Sequence, residues 1–427
     1  MAPQVHLQLS SKQELAALSI ATEPAGASIL LDGKPPELPP DTFTHVPFGT
    51  HQLIATLNKY QPIKRNIDVR QGMTGKINIE LTSSSPDDIE WISSLDPRRL
   101  EEAHKEFSEA LEIYRELVDK NPEVYRPDVA KALNNLAILD SRQGHLEARQ
   151  EFAEALQIYR ELTRKNQEIY WPLVATTLNN LANADMSQGQ LEEARKEFVE
   201  ALQIRRELAQ KAPDTFGPFV ARTLNNLAIL DRRQNRIEEA RKEFEEALQT
   251  YRGLAEKNKE TNAPFVAMTL NNLGNLALGQ GRLEDARKEF AEALQIRREL
   301  AQKNPDVYRP NTAATLNNLA ITDSYLKRWE DARKEFAEAL DIYRELAQKS
   351  EGFRPFIATT LNYLGGLDLH QNRREEARKE FEEALQIYES LARQDPEQFK
   401  PKATHLKKLL EQLSGNDKNP GRIKKDR

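Results

Sequence analysis

Cysteine is missing from all 427 residues, so neither disulfides nor thiolate chemistry is open to this chain, and a reducing interior is its expected setting. No run of 18 apolar residues occurs, which predicts no membrane span. The spacings Gly-x-x-x-x-Gly-Lys-Ser/Thr, Gly-x-Gly-x-x-Gly, His-Glu-x-x-His and Gly-x-Ser-x-Gly are all absent. With them go the usual signals of an enzyme, and no catalytic residue, cofactor or metal is assigned. The seven histidines (His6, His45, His51, His104, His145, His370 and His405) are dispersed, and His45 and His51, six residues apart across a turn, are weak ground for a metal site. An excess of one charge is lacking too. The formal net charge is -6 with the signs interleaved, which argues against the basic stripe of a nucleic-acid binder. Only the end of the chain, residues 418–427, is locally basic. The first residues, Met1 to Leu7, have neither the basic nor the apolar region of a signal peptide, so the chain as it stands is expected in the cytoplasm.

What the chain has in abundance is repetition. The stretch Leu178-Asn-Asn-Leu181-Ala182, followed by Leu191-Glu-Glu-Ala194-Arg-Lys-Glu-Phe198, returns in variants to the end. Its leading leucine falls at Leu133, Leu178, Leu224, Leu270, Leu316 and Leu361, a spacing of 45 or 46 residues. Phe107, Phe152, Phe198, Phe244, Phe290, Phe336 and Phe381 keep the same beat. A fixed period of this length is the signature of a solenoid, in which each unit contacts only its neighbours. Within a unit, Leu178, Leu181 and Ala182, then Leu191, Ala194, Phe198, Ala201 and Leu202, follow helical spacing and give two helices. The break between them is Gly144, Gly189 or Gly281, or Asn235 or Asn372, residues that tolerate a left-handed helix end. Seven prolines in register (Pro127, Pro172, Pro218, Pro264, Pro310, Pro355 and Pro401) are expected to open the first helices. The glutamates of the second helices are read as a solvated face.

Before the repeats the period changes from 3.6 to two, with alternating runs at 17–22, 28–31, 52–57, 66–69 and 76–81. Asp32-Gly33, Pro47-Phe48-Gly49 and Gln71-Gly72 supply turn chemistry between them. The expected organisation is an extension at 1–15, a β domain at 16–82, a linker and capping segment at 83–96, the helical array at 97–413 and a basic tail at 414–427. The array comprises a leading helix, six helix pairs and a closing helix. Residues 87–95, with Trp91, are expected to form a short helix over its open end.

The β region resembles a PEGA domain, carried by Pro24-Ala25-Gly26-Ala27, Leu30-Leu31-Asp32-Gly33-Lys34, Val46-Pro47-Phe48-Gly49 with His51, and Lys59-Tyr60. That resemblance implies a small all-β, sandwich-like module without an established catalytic role. The repeats resemble tetratricopeptide repeats of the long, kinesin-light-chain-like bacterial type, through Leu178-x2-Leu181-Ala182, Ala194-x3-Phe198 and Ala201, with Asp185 in place of the usual aromatic. The implied fold is mostly α, a right-handed superhelix whose first helices line the groove.

Asparagine costs roughly 0.5 kcal/mol against alanine inside a helix, yet pairs of it recur in the first helices. The second of each pair is expected to bond within the stack. The first (Asn134, Asn179, Asn225, Asn271, Asn317 and Asn362) is expected to grip the backbone of a bound peptide. One turn away the row reads Ile138, Asn183, Ile229, Asn275, Ile321 and Gly366, and beyond it come Arg142, Arg233 and Tyr325. Lys131, Arg142, Arg222 and Arg233 make the first half of this face the more positive, which suits a peptide with an acidic segment. The resulting expectation is a non-enzymatic adaptor that holds a partner protein or extended peptide, with no nucleic acid and no membrane involved. The alternative is a regulatory subunit or substrate of a separately encoded signalling or defence enzyme, a caspase-like peptidase or nucleotide triphosphatase.

Overall fold

A computed structural model describes residues 7–9, 15–23, 28–32, 34, 42–47, 49–56, 63–69, 76–80 and 97–417. The turn at 24–27, Lys59-Tyr60, the segment 83–96 with its expected capping helix, and the tail from 418 lie outside the described residues. The chain divides into two compact units, Met1–Leu208 and Ala209–Arg427.

The first unit begins with seven strands in two sheets. In one, β2 (Leu15–Glu23) runs antiparallel to β1 (Leu7–Leu9) and β4 (Thr42–Pro47) and parallel to β7 (Lys76–Glu80). In the other, β5 (Gly49–Thr56) lies between β3 (Ser28–Leu31) and β6 (Ile63–Val69), all antiparallel. The alternation was legible for most of these strands, whereas β1 and β4 were not marked. Around the expected turn the N–H groups of Leu31 and Lys34 donate to each other's carbonyls at 2.9 Å, and Asp32 has φ of 49°. The Asp32 carboxylate then meets His51 Nδ1 at 2.6 Å and the Gln52 N–H at 2.8 Å, tying the turn to β5.

Strand periodicity gives the second sheet two apolar faces. Ile29 pairs with Ala55 and Leu31 with Leu53, and all four are buried in the domain's own core. Leu30 and Ile54 point the other way, against Ile113 and Leu117 of the first helix and Tyr125 of the second. Leu117 has no exposed surface at all. A repeat array needs its terminal apolar face covered, and here a β-sheet covers it.

Five helices begin in this unit: α1 (Pro97–Lys120), α2 (Pro122–Gln143), α3 (Ala148–Thr163), α4 (Gln167–Ser187) and α5 (Leu191–Lys211). The second unit holds α6 (Pro213–Arg233), α7 (Ile237–Lys257), α8 (Lys259–Gly279), α9 (Leu283–Lys303), α10 (Pro305–Tyr325), α11 (Trp329–Lys349), α12 (Arg354–His370), α13 (Arg374–Leu391) and α14 (Pro396–Asp417). The recurrent phenylalanines fill the cores, Phe152 and Phe198 in the first unit, Phe244, Phe290, Phe336 and Phe381 in the second, each at most 1% exposed.

The turns form as expected, with left-handed backbone at Gly144, Gly189, Asn235, Gly281 and Asn372, and also at Lys327. The helix starts differ from expectation. Pro127, Pro172, Pro218, Pro264, Pro310 and Pro401 sit inside their helices, which begin five residues earlier; only Pro355 is near a start. The starting role belongs to Pro122, Pro213 and Pro305 at first positions, and to the side chains of Asn166 and Asn258, which accept from the N–H three residues on at 3.2 Å. An interior proline so near the helix start forfeits one backbone bond only, to the carbonyl four residues back. The closing helix accordingly spans Pro396–Asp417 rather than starting at Pro401.

The second-helix surface is more than solvated. Arg115 reaches Glu154 at 2.8 Å and Arg160 reaches Glu200 at 2.6 Å in the first unit; Arg252, Arg298 and Arg344 reach Glu292, Glu338 and Glu383 at 2.5 to 2.7 Å in the second. Each pair links neighbouring second helices. Exposed pairs of this kind contribute at most about 1 kcal/mol each, so they help register more than stability.

Candidate functional site

The asparagine rows were expected to divide between groove and stack. In the structure Asn134, Asn179, Asn225, Asn271 and Asn317 of the first row bond within the stack, as do Asn272 and Asn318 of the second. In the first unit Asn134 Oδ1 accepts from Thr177 Oγ1 at 3.3 Å, and the buried Asn179 Oδ1 accepts from Arg205 Nη1 at 3.2 Å. In the second, Asn272 Nδ2 donates to Asn225 Oδ1 at 3.0 Å, Asn318 Nδ2 donates to Asn271 Oδ1 at 3.3 Å, and Asn317 Nδ2 donates to Thr360 Oγ1 at 2.7 Å. The reason is geometric: adjacent first helices pack with this row against the next helix's threonine or second asparagine. A buried amide must find such a partner. For Asn179 and Asn225, both 3% exposed, the peptide-gripping role is thereby corrected to one of joining helices.

The rest of the expected row is distributed as follows. Asn183 is half-buried and donates back to its own helix, to the Asn179 carbonyl at 2.9 Å. Asn275 and Lys131 are half-buried, and Arg142 and Arg233 are exposed. Arg222 is half-buried, its guanidinium 5.0 Å from the Phe219 ring centroid, and burial lowers its pKa. Its charge is therefore stacked rather than presented to a partner. Tyr325, at 66% exposure, is the most open aromatic of the first-helix face.

Asn362 stands apart because it lines a cavity of about 420 Å³ with Thr359, Tyr363, Tyr388, Lys402 and His405. The first helix α12 and the closing helix α14 form its walls, and Tyr388 of α13 reaches in from below. Thr359 Oγ1 and the Tyr388 hydroxyl are 3.0 Å apart, and burial raises the Tyr388 pKa. Lys402 Nζ lies 5.6 Å from the Tyr388 ring centroid and 5.3 Å from that of Phe399. Tyr363, 44% exposed, stacks on Phe336 at 6.2 Å. Of the lining residues only Asn362 was singled out beforehand. The available signal was a departure from the pattern, since Tyr363 stands where five earlier repeats have their second asparagine.

A second group of polar residues lies inside the stack. Asp185, Asp323 and Asp368 have no exposed surface and meet Arg149, Arg287 and Arg333 of the preceding second helices, the first two at 2.7 Å. Beside them stand Glu197, Glu335 and Glu380, pushed up to about 8 by burial first and by the neighbouring aspartate second. The first aspartate of the series, Asp140, meets two imidazoles instead: His104 Nε2 and His145 Nδ1, each 3.0 Å from its Oδ1. Histidines that look scattered along the sequence are here brought to one carboxylate, a correction to the expected dispersal.

Comparison with known proteins agrees with this architecture. Two tetratricopeptide-repeat models match residues 173–253 and 265–345, and 129–163 and 357–395, together more than half of the chain. A PEGA-domain model matches residues 15–85. No curated protein matches the chain. Among solved structures, the chain is similar to the apo form of RapI (16% identity, 74% of this chain and 84% of that one, TM-score 0.50). It is also similar to BtubC (BKLC) from P. vanneervenii (23%, 59% and 92%, TM-score 0.46) and to a putative kinesin light chain repeat protein from Podosopora anserina (17%, 52% and 98%, TM-score 0.41). At these identities the likeness is one of fold alone. With helix pairs repeating at one period behind a two-sheet β module, the chain belongs to the tetratricopeptide-repeat proteins and carries a PEGA domain ahead of its repeats.

Proposed function

We propose that the protein is a non-catalytic adaptor whose second unit holds an extended segment of a partner protein against the first-helix face, anchored in the cavity between α12 and α14. The repeat architecture is that of a protein-interaction scaffold, and among the described residues no helix is long and apolar enough to cross a membrane. The observation that carries the reading is the cavity itself. Its volume is within the usual range for a binding pocket, and Tyr363, Tyr388 and Asn362 combine apolar surface with amide and hydroxyl groups. Lys402 and His405 on its α14 wall favour an acidic or carboxylate-bearing segment, and the exposed Tyr325 extends the face along α10. A cysteine-free composition suits a cytoplasmic setting for this role.

Selection from a displayed peptide library on the full chain tests the proposal. Acidic, aromatic-containing peptides should be enriched, and Lys402→Glu or Tyr363→Ala should weaken them by roughly tenfold each, about 1.4 kcal/mol. A library with no enrichment, or peptides indifferent to both substitutions, would overturn it.

A further inference from the structure

The array repeats one arrangement, in which an arginine near the start of a second helix meets an aspartate buried in the following first helix. At the first step two positions change together. His104 of α1 occupies the place held by Arg149, Arg195, Arg241, Arg287, Arg333 and Arg378 in the later second helices. The residue just past the left-handed turn, which is Gln190, Arg236, Arg282, Arg328 or Arg373 in later repeats, is His145. The backbone sets its position: the His145 N–H donates to the Asp140 carbonyl at 2.8 Å, as Gln190 does to Asp185. Any side chain there begins next to the aspartate, and only here is it an imidazole.

The ligand atoms of His104, Asp140 and His145 all lie within 4.8 Å of one another. In a tetrahedral site with bonds of about 2.0–2.1 Å, neighbouring ligand atoms are separated by about 3.3 Å. The two imidazole–carboxylate distances of 3.0 Å are close to that value, and the rings stand at 82° to each other. Asp140 is 2% exposed, while both imidazoles are partly open to solvent, which leaves an entry path. Glu151 of α3 interacts with Asp140 as Glu197, Glu335 and Glu380 do with Asp185, Asp323 and Asp368, and like them it has a buried Oε2 with no hydrogen-bond partner, so what sets the first step apart is the pair of imidazoles. At Asp185, Asp323 and Asp368 an arginine brings permanent charge to the carboxylates; at Asp140 two imidazoles stand in its place.

We infer that His104, Asp140 and His145 bind a divalent first-row transition ion, zinc being the type. Two imidazoles with a carboxylate suit such an ion and not calcium or magnesium, which take oxygen ligands. The ion supplies the positive charge that arginine supplies elsewhere. It also ties α1 to the α2–α3 turn at the end of the array where the β domain is seated.

Calorimetric titration of the tag-free full chain with zinc chloride tests this, with cobalt chloride as a spectroscopic probe. One zinc per chain is expected, together with visible cobalt absorption of a low-coordinate site and a higher melting temperature in the presence of zinc. His104→Arg installs the residue of every later repeat and His145→Gln that of the next one, so both should keep the wild-type circular dichroism. Each should weaken zinc binding by at least about 100-fold, the upper effect of losing a mere outer partner, and abolish the melting shift. Absence of saturable binding by the wild type would overturn the inference. So would binding that survives both substitutions, because the ion would then sit on other histidines. Should His104→Arg fail to fold, His145→Gln decides alone.

Discussion

The glutamates inside the stack predict that this protein loses stability as pH rises from about 5 to about 8. Glu197, Glu335 and Glu380 are pushed from 4.5 up to about 8, because burial and an adjacent aspartate both disfavour a further negative charge. Between those limits the folded chain holds protons that the unfolded chain has released, so unfolding is favoured progressively as pH increases. At 1.36 kcal/mol per pKa unit the full difference at one site is about 5 kcal/mol. These side chains are only partly buried, and screening by solvent reduces that to about 1 kcal/mol each. Together the three sites should therefore remove about 3 kcal/mol between pH 5 and pH 8. Urea denaturation at unit steps of pH measures this without adding salt. The variant carrying Glu197→Gln, Glu335→Gln and Glu380→Gln retains shape and a donor toward each aspartate, and its midpoint should fall less steeply over the same range, the remaining slope coming from Glu151, pushed up to about 8, and Asp128, pushed up to about 6. A wild-type midpoint that is level or rises with pH, or a triple variant that falls as steeply as the wild type, would refute the reasoning.

Other perturbations follow from the same cores. Burial lowers the Arg297 pKa to about 10 with no carboxylate alongside it, so Arg297→Met should raise the urea midpoint, a gain of about 1–3 kcal/mol; a loss would show the guanidinium's bonds to Asn311 and Thr315 outweigh its desolvation. Asn225→Ala removes the acceptor of Asn272 Nδ2 and should destabilise the second unit by about 1–2 kcal/mol, whereas a pure groove residue would leave stability unchanged. Ile54→Asp places a charge against Ile113, Leu117 and Tyr125, and should release the β domain from the helices, read as faster proteolysis between residues 80 and 97.

Periodicity made the repeats legible because it is imposed by packing: the same phenylalanine fills the same space in core after core. The left-handed turns were legible for a related reason, since glycine and asparagine relieve a strain that is local to one residue; Lys327 escaped because nothing in its chemistry announces it. The prolines misled. Their register was real, but a proline one turn inside a helix costs only a single bond, so the register marked the first turn rather than the start.

The asparagines show where sequence reasoning runs out. An amide within a helix signals that something satisfies it, and the sequence cannot say whether the satisfier is a bound peptide or the next helix. The distances answer for most of the row, and the next helix takes the bond. The informative positions are then those that break the repeat. Tyr363 in place of asparagine, Arg205 and Arg297 where Tyr159, Tyr251, Tyr343 and Tyr388 stand in other second helices, and His104 with His145 where arginine is the rule each mark a place where the stack does something its neighbours do not. A position that merely stacks is free to repeat, since every unit meets the same surroundings. Paired departures that converge on one buried carboxylate are therefore the stronger sign of a specific site than the most frequent residue of the array.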